Sequence, residues 1–176
     1  RYVPQLRNSP DVSLESISYA YFRGMYKGLI EDFAVTGTLT TNLGNITTDI
    51  KMKIPGFDGN TAVYSGTLGT EDVQLGKFLR QPLLGAITLQ EKISGRSFHP
   101  DHIQLDIDGN IKALGFKGYT YHNISTKGTL AKKQFDGNLL VDDPNLALIF
   151  DGGINYSDKN IKINATAHLM GCDLHA

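Results

Sequence analysis

The sequence predicts an all-β protein: an elongated, antiparallel-rich sheet that is creased and folds over its own apolar face. Apolar and polar residues alternate along most of the 176 residues, whereas the 3.6-residue period of amphipathic helices is almost absent. The 19 glycines recur within alternating segments as well as between them. Alternation indicates strands with one buried face, and glycine inside a strand marks a bend or a close approach of two backbones.

Composition indicates one globular domain. Apolar residues make up 40% of the chain and charged residues 20%, and the formal net charge is -1. This balance argues against a nucleic-acid partner and against electrostatic adhesion to anionic membranes, since both need a basic excess. We expect residues 1–176 to form a single β domain. Because the first residue is Arg1, we also expect the chain to be a segment of a longer protein.

Two segments show the alternation most clearly. In the first, the inward positions are Ile46, Thr48, Ile50, Met52 and Ile54. In the second, they are Ile161, Ile163, Ala165, Ala167 and Leu169. Charged and polar residues occupy most positions between them. Each segment is therefore predicted to be a half-buried strand with a polar outer face.

A shorter motif places glycine at an inward position. Two alternate residues, mostly apolar, are followed by glycine and then by another apolar residue of the same parity. The glycines of its five copies are Gly37, Gly66, Gly109, Gly128 and Gly152. A row of such glycines across neighbouring strands would crease the sheet and leave the missing side chains on its concave side.

Asp-Gly pairs have two interpretations, because they are also hairpin-turn signals. We predict a turn at residues 58–59, which follow Pro55. At Gly109 and Gly152 the alternation is unbroken, so we predict that both lie within strands. Further turns are predicted at 42–45, 117–119, 142–145 and 157–160, leaving about ten strands of roughly seven to nine residues. Residues 73–82 break the pattern and are predicted to form a short helix or an irregular crossing.

The inward positions define a predicted apolar lining. Its members are Phe33, Val35, Leu39, Ile50, Met52, Ile54, Tyr64, Leu68, Leu105, Ile107, Ile111, Leu130, Leu139, Leu148, Phe150, Ile154, Ile161 and Ile163. At Leu148 the alternation predicts an inward side chain, and at Ala147 an outward one. Pattern alone favours a closed sandwich or barrel, whose dry core would include Phe33, Ile50, Leu105, Leu148 and Ile163.

Catalytic and cofactor motifs are absent from the sequence. It contains no Gly-rich phosphate loop, no Gly-x-Ser-x-Gly elbow and no His-Glu-x-x-His motif. His168, Cys172 and His175 lie close together, but their spacing fits no structural zinc pattern and a fourth ligand is not evident. We therefore expect a protein that is not an enzyme and that needs neither a cofactor nor a metal.

Several stretches resemble the TamB (translocation and assembly module) family in its Bacteroides-group form. They read DFAVTGTLTTNLGNITTDIKMKIPG at 32–56, YSGTLGTEDVQLGKFL at 64–79, GYTYHNISTKGTLAKKQFDGNLLVDDPNLALIFDGGINY at 118–156 and HLMGCDLHA at 168–176. Together they cover about half of the chain. The longest stretch is the most specific, because it combines two FDG triplets with DDPN.

The resemblance implies an open, taco-like groove rather than a closed core. Such proteins are anchored in the inner membrane of Gram-negative bacteria, cross the periplasm as a long creased sheet and pair with an Omp85-type outer-membrane barrel. They are similar to AsmA-like and bridge-type lipid transfer proteins. The resemblance therefore implies a periplasmic segment that takes part in envelope biogenesis.

Three functional hypotheses follow. In the first, the apolar groove carries phospholipid or another amphiphile between the inner and outer membranes. In the second, an exposed sheet edge pairs with strands of outer-membrane protein clients, as a chaperone-like scaffold would. In the third, the domain binds carbohydrate; the absence of tryptophan weakens this hypothesis, although tyrosine can replace it.

Overall fold

The protein is one open sheet of ten antiparallel strands, described by a computed structural model for residues 13–99, 101–155, 157 and 162–172. Each strand pairs with those before and after it in sequence, so the sheet is a simple meander. The strands are β1 (Ala20–Leu29), β2 (Asp32–Thr41), β3 (Gly44–Lys53), β4 (Val63–Gln74), β5 (Leu84–Arg96), β6 (Gln104–Phe116), β7 (Tyr119–Ala131), β8 (Gln134–Asp143), β9 (Leu146–Asn155) and β10 (Lys162–Cys172). The predicted all-β, antiparallel class is confirmed.

In the part of the chain that the structure describes, helical structure is limited to short elements. The helix α1 (Leu75–Phe78) lies between β4 and β5, as predicted for residues 73–82, and packs against β5. Two 3-10 turns occupy Leu14–Ser16 and Pro55–Phe57. Within the described residues, no helix is long and apolar enough to cross a membrane.

Tight turns connect most of the strands. Residues 117–118 and 132–133 all have positive φ, which is the backbone geometry of type I′ hairpins and matches the twist of the flanking strands. The turn predicted at 58–59 is present. The turns predicted at 42–45, 117–119 and 142–145 are present but shorter, at 42–43, 117–118 and 144–145, because the strands extend into them. Of the turn predicted at 157–160, residues 158–160 lie outside the described part of the chain.

The strands are longer than predicted, with 10 to 13 residues each. The shorter turns explain part of the difference, and bulges add to the length of β4, β5 and β6. In β4 the pairing with β5 shifts between Thr70 and Val73, and the intervening Asp72 has a φ of 51°. The extra residue is absorbed as a bulge, so the strand continues through a break in the alternation.

The sheet is uncurled, and β1 and β10 form its two separate edges. The dry core of a closed sandwich or barrel is therefore wrong for the described residues. Of the side chains assigned to that core, Phe33, Ile50, Leu105 and Leu148 are half-buried, and Ile163 is 66% exposed. The physical reason is that the sheet forms a single layer, so no second apolar layer excludes water from its face.

Fully buried apolar side chains concentrate near the ends of the strands. At one end, the rings of Tyr64 and Phe98 stack with centroids 5.1 Å apart, next to the buried Ala62. At the other end, Val73 and Ile87 are buried close to α1. These clusters fix the ends of the strands, whereas most apolar side chains between them are half-buried.

Candidate functional site

Residues that pair across an antiparallel sheet point to the same face, so the register defines rows of side chains. One row runs from β2 to β10 without a charged residue. Its members are Phe33, Met52, Tyr64, Gly95, Leu105, Leu130, Phe135, Ile154 and Ile163. We call this the first row.

Three further rows lie on the same face, two residues apart along each strand. The second row is Tyr26, Val35, Ile50, Gly66, Ile93, Ile107, Gly128, Gly137, Gly152 and Ala165. The third row is Gly24, Gly37, Thr48, Leu68, Glu91, Gly109, Thr126, Leu139, Phe150 and Ala167. The fourth row is Phe22, Leu39, Ile46, Thr70, Leu89, Ile111, Ile124, Val141, Leu148 and Leu169. Together these four rows are the apolar face.

The register brings most of the predicted lining together on the apolar face. Sixteen of the eighteen predicted residues belong to one of the four rows. Ile54 is half-buried just beyond the end of β3, and Ile161 lies outside the described residues. Ala147 pairs with the exposed Asp142 and so lies on the opposite face from Leu148. That these residues bind a ligand stays a prediction.

Both edge strands are more exposed than the inner strands. β10 was predicted to be half-buried, but its described side chains are exposed, with Ile163 at 66%. β1 is also exposed along its whole length, including Tyr21 at 71% and Met25 at 68%. The reason is geometric, since among the described strands β1 and β10 each have a paired neighbour on one side only.

The predicted crease glycines fall in two adjacent rows rather than in one. Gly66, Gly128 and Gly152 lie in the second row, and Gly37 and Gly109 in the third. The neighbouring backbone lies unusually close to them. A Cβ atom built on Gly37 would lie 2.6 Å from the Cα atom of Gly24, and one on Gly109 would lie 2.8 Å from the Cα atom of Glu91. Such close approach is the reason for glycine inside these strands.

Glu91 was missed by the sequence interpretation, and it is the single charged residue among the four rows. It is 5% exposed, and neither carboxyl oxygen has a hydrogen-bond partner in the described part of the protein. Burial, and then the negative charge of Asp108, raise the pKa of Glu91 to about 7. The alternation could have identified it, because Glu91 occupies an inward position between Leu89 and Ile93.

The opposite face of the sheet is polar and internally paired. The Nζ atom of Lys127 lies 3.1 Å from the carboxylate of Asp108, and the Thr129 hydroxyl donates a hydrogen bond of 2.6 Å to Asp106. A cavity of about 730 Å³ is lined in part by these side chains and in part by residues of the second row, including Ile93 and Ile107. Opposite charges side by side make this a solvated surface with little net field.

A buried carboxylate organises one end of the sheet. Asp143 accepts hydrogen bonds from the Asn145 N–H at 2.9 Å, the His122 N–H at 2.8 Å and the Tyr119 hydroxyl at 3.0 Å. Burial alone would raise the pKa of Asp143, but these hydrogen bonds outweigh it and lower the pKa. The cluster is fully satisfied and joins the turn after β8 to β7, which indicates a structural role.

Metal ligands and relatives provide no further assignment. Among the residues that the structure describes, no three His, Cys, Asp or Glu side chains come together as a metal site. Of the sequence-based zinc candidates, His175 and the side chain of Cys172 lie outside that part. No protein-family model, curated protein or solved structure matches the chain. The functional assignment therefore depends on the apolar face itself.

Proposed function

We propose that the apolar face binds the acyl chains of phospholipid or a similar amphiphile, and that this protein is a periplasmic segment of an envelope-biogenesis system. In that role it would carry lipid between the inner and outer membranes, together with an inner-membrane anchor and an Omp85-type barrel. The location and these partners come from the resemblance to TamB proteins, and the binding face comes from the strand register.

The continuity of the apolar face is the observation that carries this proposal. The first row crosses nine strands without a charged residue. At about 4.8 Å per strand, eight intervals extend roughly 38 Å. One leaflet of a bilayer has a hydrocarbon thickness of about 15 Å, so the row is long enough to hold more than one acyl chain end to end.

The free energy of burying apolar side chains also favours a ligand on the apolar face. A large apolar side chain left in water forgoes roughly 1.5–3 kcal/mol relative to full burial. The inner strands carry many half-buried Ile, Leu and Phe side chains on one uncovered face. Contiguous apolar surface of this kind marks a binding site for lipid, membrane or protein. Acyl chains would cover this apolar surface.

Photo-crosslinking at two adjacent aliphatic positions tests the proposal in cells. Leu148 lies in the fourth row, whereas Ile149 pairs with Leu140 on the polar face and is 40% exposed. We expect a photo-reactive residue at position 148 to attach to phospholipid and one at 149 to attach to none. Equal lipid labelling at both positions, or labelling at neither, would contradict lipid binding by the apolar face.

A scaffold for outer-membrane protein strands is the second candidate, and β1 favours it. In the described part of the chain, β1 has a paired neighbour on one side and ten residues along its other edge. Its exposed Tyr21, Phe22 and Met25 add apolar surface to that edge. An extended client segment could add to it as an extra strand through main-chain hydrogen bonds.

A further inference from the structure

The third row contains the carboxyl group of Glu91, which has no hydrogen-bond partner in the described part of the protein. Glu91 lies at the centre of β5, itself one of the two middle strands of the sheet. The carboxyl is buried, and both of its oxygens lack a hydrogen-bond donor. A buried carboxylate without donors is costly, so the group either holds a proton or meets a donor from outside the protein.

Among the described strands, the charged residues next to Glu91 in the register lie on the other side of the sheet. Lys92 is the next residue in β5 and points to the polar face, where it pairs with Asp108 of β6. Asp108 in turn contacts Lys127 at 3.1 Å. On the apolar face, the residues that pair with Glu91 are Leu68 of β4 and Gly109 of β6. The four rows therefore contain no positively charged side chain that could form an ion pair with Glu91.

Gly109 provides the space that the carboxyl group occupies. A Cβ atom built on Gly109 would lie 2.6 Å from Oε2 of Glu91, so any side chain at this position would collide with the carboxyl. Leu89 and Ile93 flank Glu91 along β5 on the same face. When it is ionised, the Glu91 carboxylate is therefore an acceptor-only group beside aliphatic side chains. Its complement is a hydrogen-bond donor with a positive charge, attached to an apolar chain.

We propose that Glu91 binds the primary ammonium group of an amphiphile whose chain lies on the apolar face. This inference rests on the proposed function, because it names the class of amphiphile that the same face selects. In the absence of that ligand, burial and the charge of Asp108 raise the pKa of Glu91 to about 7, so the carboxyl readily holds a proton near neutrality. An ammonium group would supply both the donors and the compensating charge.

Calorimetric titration with three ligands of equal chain length tests this site. The probes are decylammonium, decanol and decanoate, each below its micelle concentration or solubility limit, at pH 8, which is above the pKa of about 7 of Glu91. We expect decylammonium to bind about tenfold more tightly than decanol, because its ammonium group donates charge-assisted hydrogen bonds to the carboxylate. Decanoate should bind most weakly, because its charge repels the carboxylate.

Two variants distinguish the site from a general charge effect. Glu91→Gln keeps the shape and removes the charge, and should reduce the preference for decylammonium over decanol to within about twofold. Asp108→Asn removes a charge from the opposite face and should preserve the preference. Unchanged decanol affinity in Glu91→Gln would show that the face remains folded.

The remaining outcomes separate the two proposals. A preference for decylammonium that persists in Glu91→Gln, or that is absent from the original protein although decanol binds, overturns the ammonium site alone. If none of the three compounds binds, the apolar face does not accept amphiphiles, and the proposed function fails with it.

Discussion

The aromatic ring of Phe135 lies over Gly128, the residue diagonal to it on the neighbouring strand β7. A Cβ atom built on Gly128 would lie 2.6 Å from the ring and 2.6 Å from the carbonyl oxygen of Asp136. The same ring is 3.0 Å from the Cβ position of Gly137, the partner of Gly128 in the second row. Phe135 therefore covers two adjacent glycines with one side chain, which replaces the apolar contacts that the glycines lack.

Replacing Gly128 with alanine is expected to destabilise the sheet by about 1–3 kcal/mol, because the added methyl group meets both the backbone and the ring. Urea unfolding followed by circular dichroism measures this change. Gly171→Ala is the matched control, since no atom lies within 4 Å of the Cβ position there, and we expect almost no effect. Equal stability of the two variants would mean that the close packing at Gly128 is absent in solution.

Replacing Asp143 with alanine is expected to cost about 1–3 kcal/mol, because the part-buried N–H groups of His122 and Asn145 lose their acceptor. Asp142→Ala, at the exposed neighbour, is the control. The pKa of Asp143 is lower in the folded protein than its usual value near 3.8. The contribution of Asp143 to the free energy of unfolding is therefore fully present above pH 3.8 and is lost as the pH falls through the folded-state pKa. Acid unfolding curves should therefore differ between the original protein and Asp143→Ala only above that window, and converge below it.

Glu91 is expected to lower stability at neutral and alkaline pH in the absence of a ligand. Its folded-state pKa of about 7 exceeds the usual 4.5, so the folded state binds the proton more tightly than the unfolded state. Stability should fall as the pH rises from about 4.5 to 7 and then stay low. Glu91→Leu should remove this decline and add about 1–3 kcal/mol above pH 7.

The control for this experiment is Glu71→Leu, because Glu71 lies on the exposed part of β4. Chemical denaturation at a series of pH values between 4 and 8 measures both variants. A pH profile of Glu91→Leu that still follows the original protein would show that the carboxyl of Glu91 is solvated rather than buried.

Met25→Lys separates the two candidate functions. A lysine on an edge strand opposes the addition of another strand, so this variant should reduce crosslinking of β1 to outer-membrane protein clients if the scaffold function holds. Lipid attachment at position 148 should be unaffected, because Met25 pairs with Thr36 on the polar face. Phe57→Lys is the control, since Phe57 is similarly exposed, at 61%, but lies in a turn. Loss of lipid attachment in Met25→Lys, with Phe57→Lys unaffected, would contradict this separation.

The sequence by itself determined the two faces of the sheet. Side chains in a strand alternate with a period of two, which is a local property of the backbone, so the inward parity of Phe33, Ile50 or Leu148 needs no knowledge of the neighbouring strands. Local turn chemistry likewise distinguished the turn at residues 58–59 from Gly109 and Gly152, which lie inside strands.

Only the tertiary structure decided which inward residues share a row and what each of them meets. Hairpin turns and bulges set the register, and their effect accumulates from strand to strand, so parity alone could not place Gly66 and Gly37 in different rows. Burial of Glu91 depends on the same register, because Gly109 has to lie beside it to leave room for the carboxyl. Whether the sheet is open or closed was also decided by the tertiary structure, because the alternation of apolar and polar residues is the same in a closed barrel and in an uncovered sheet.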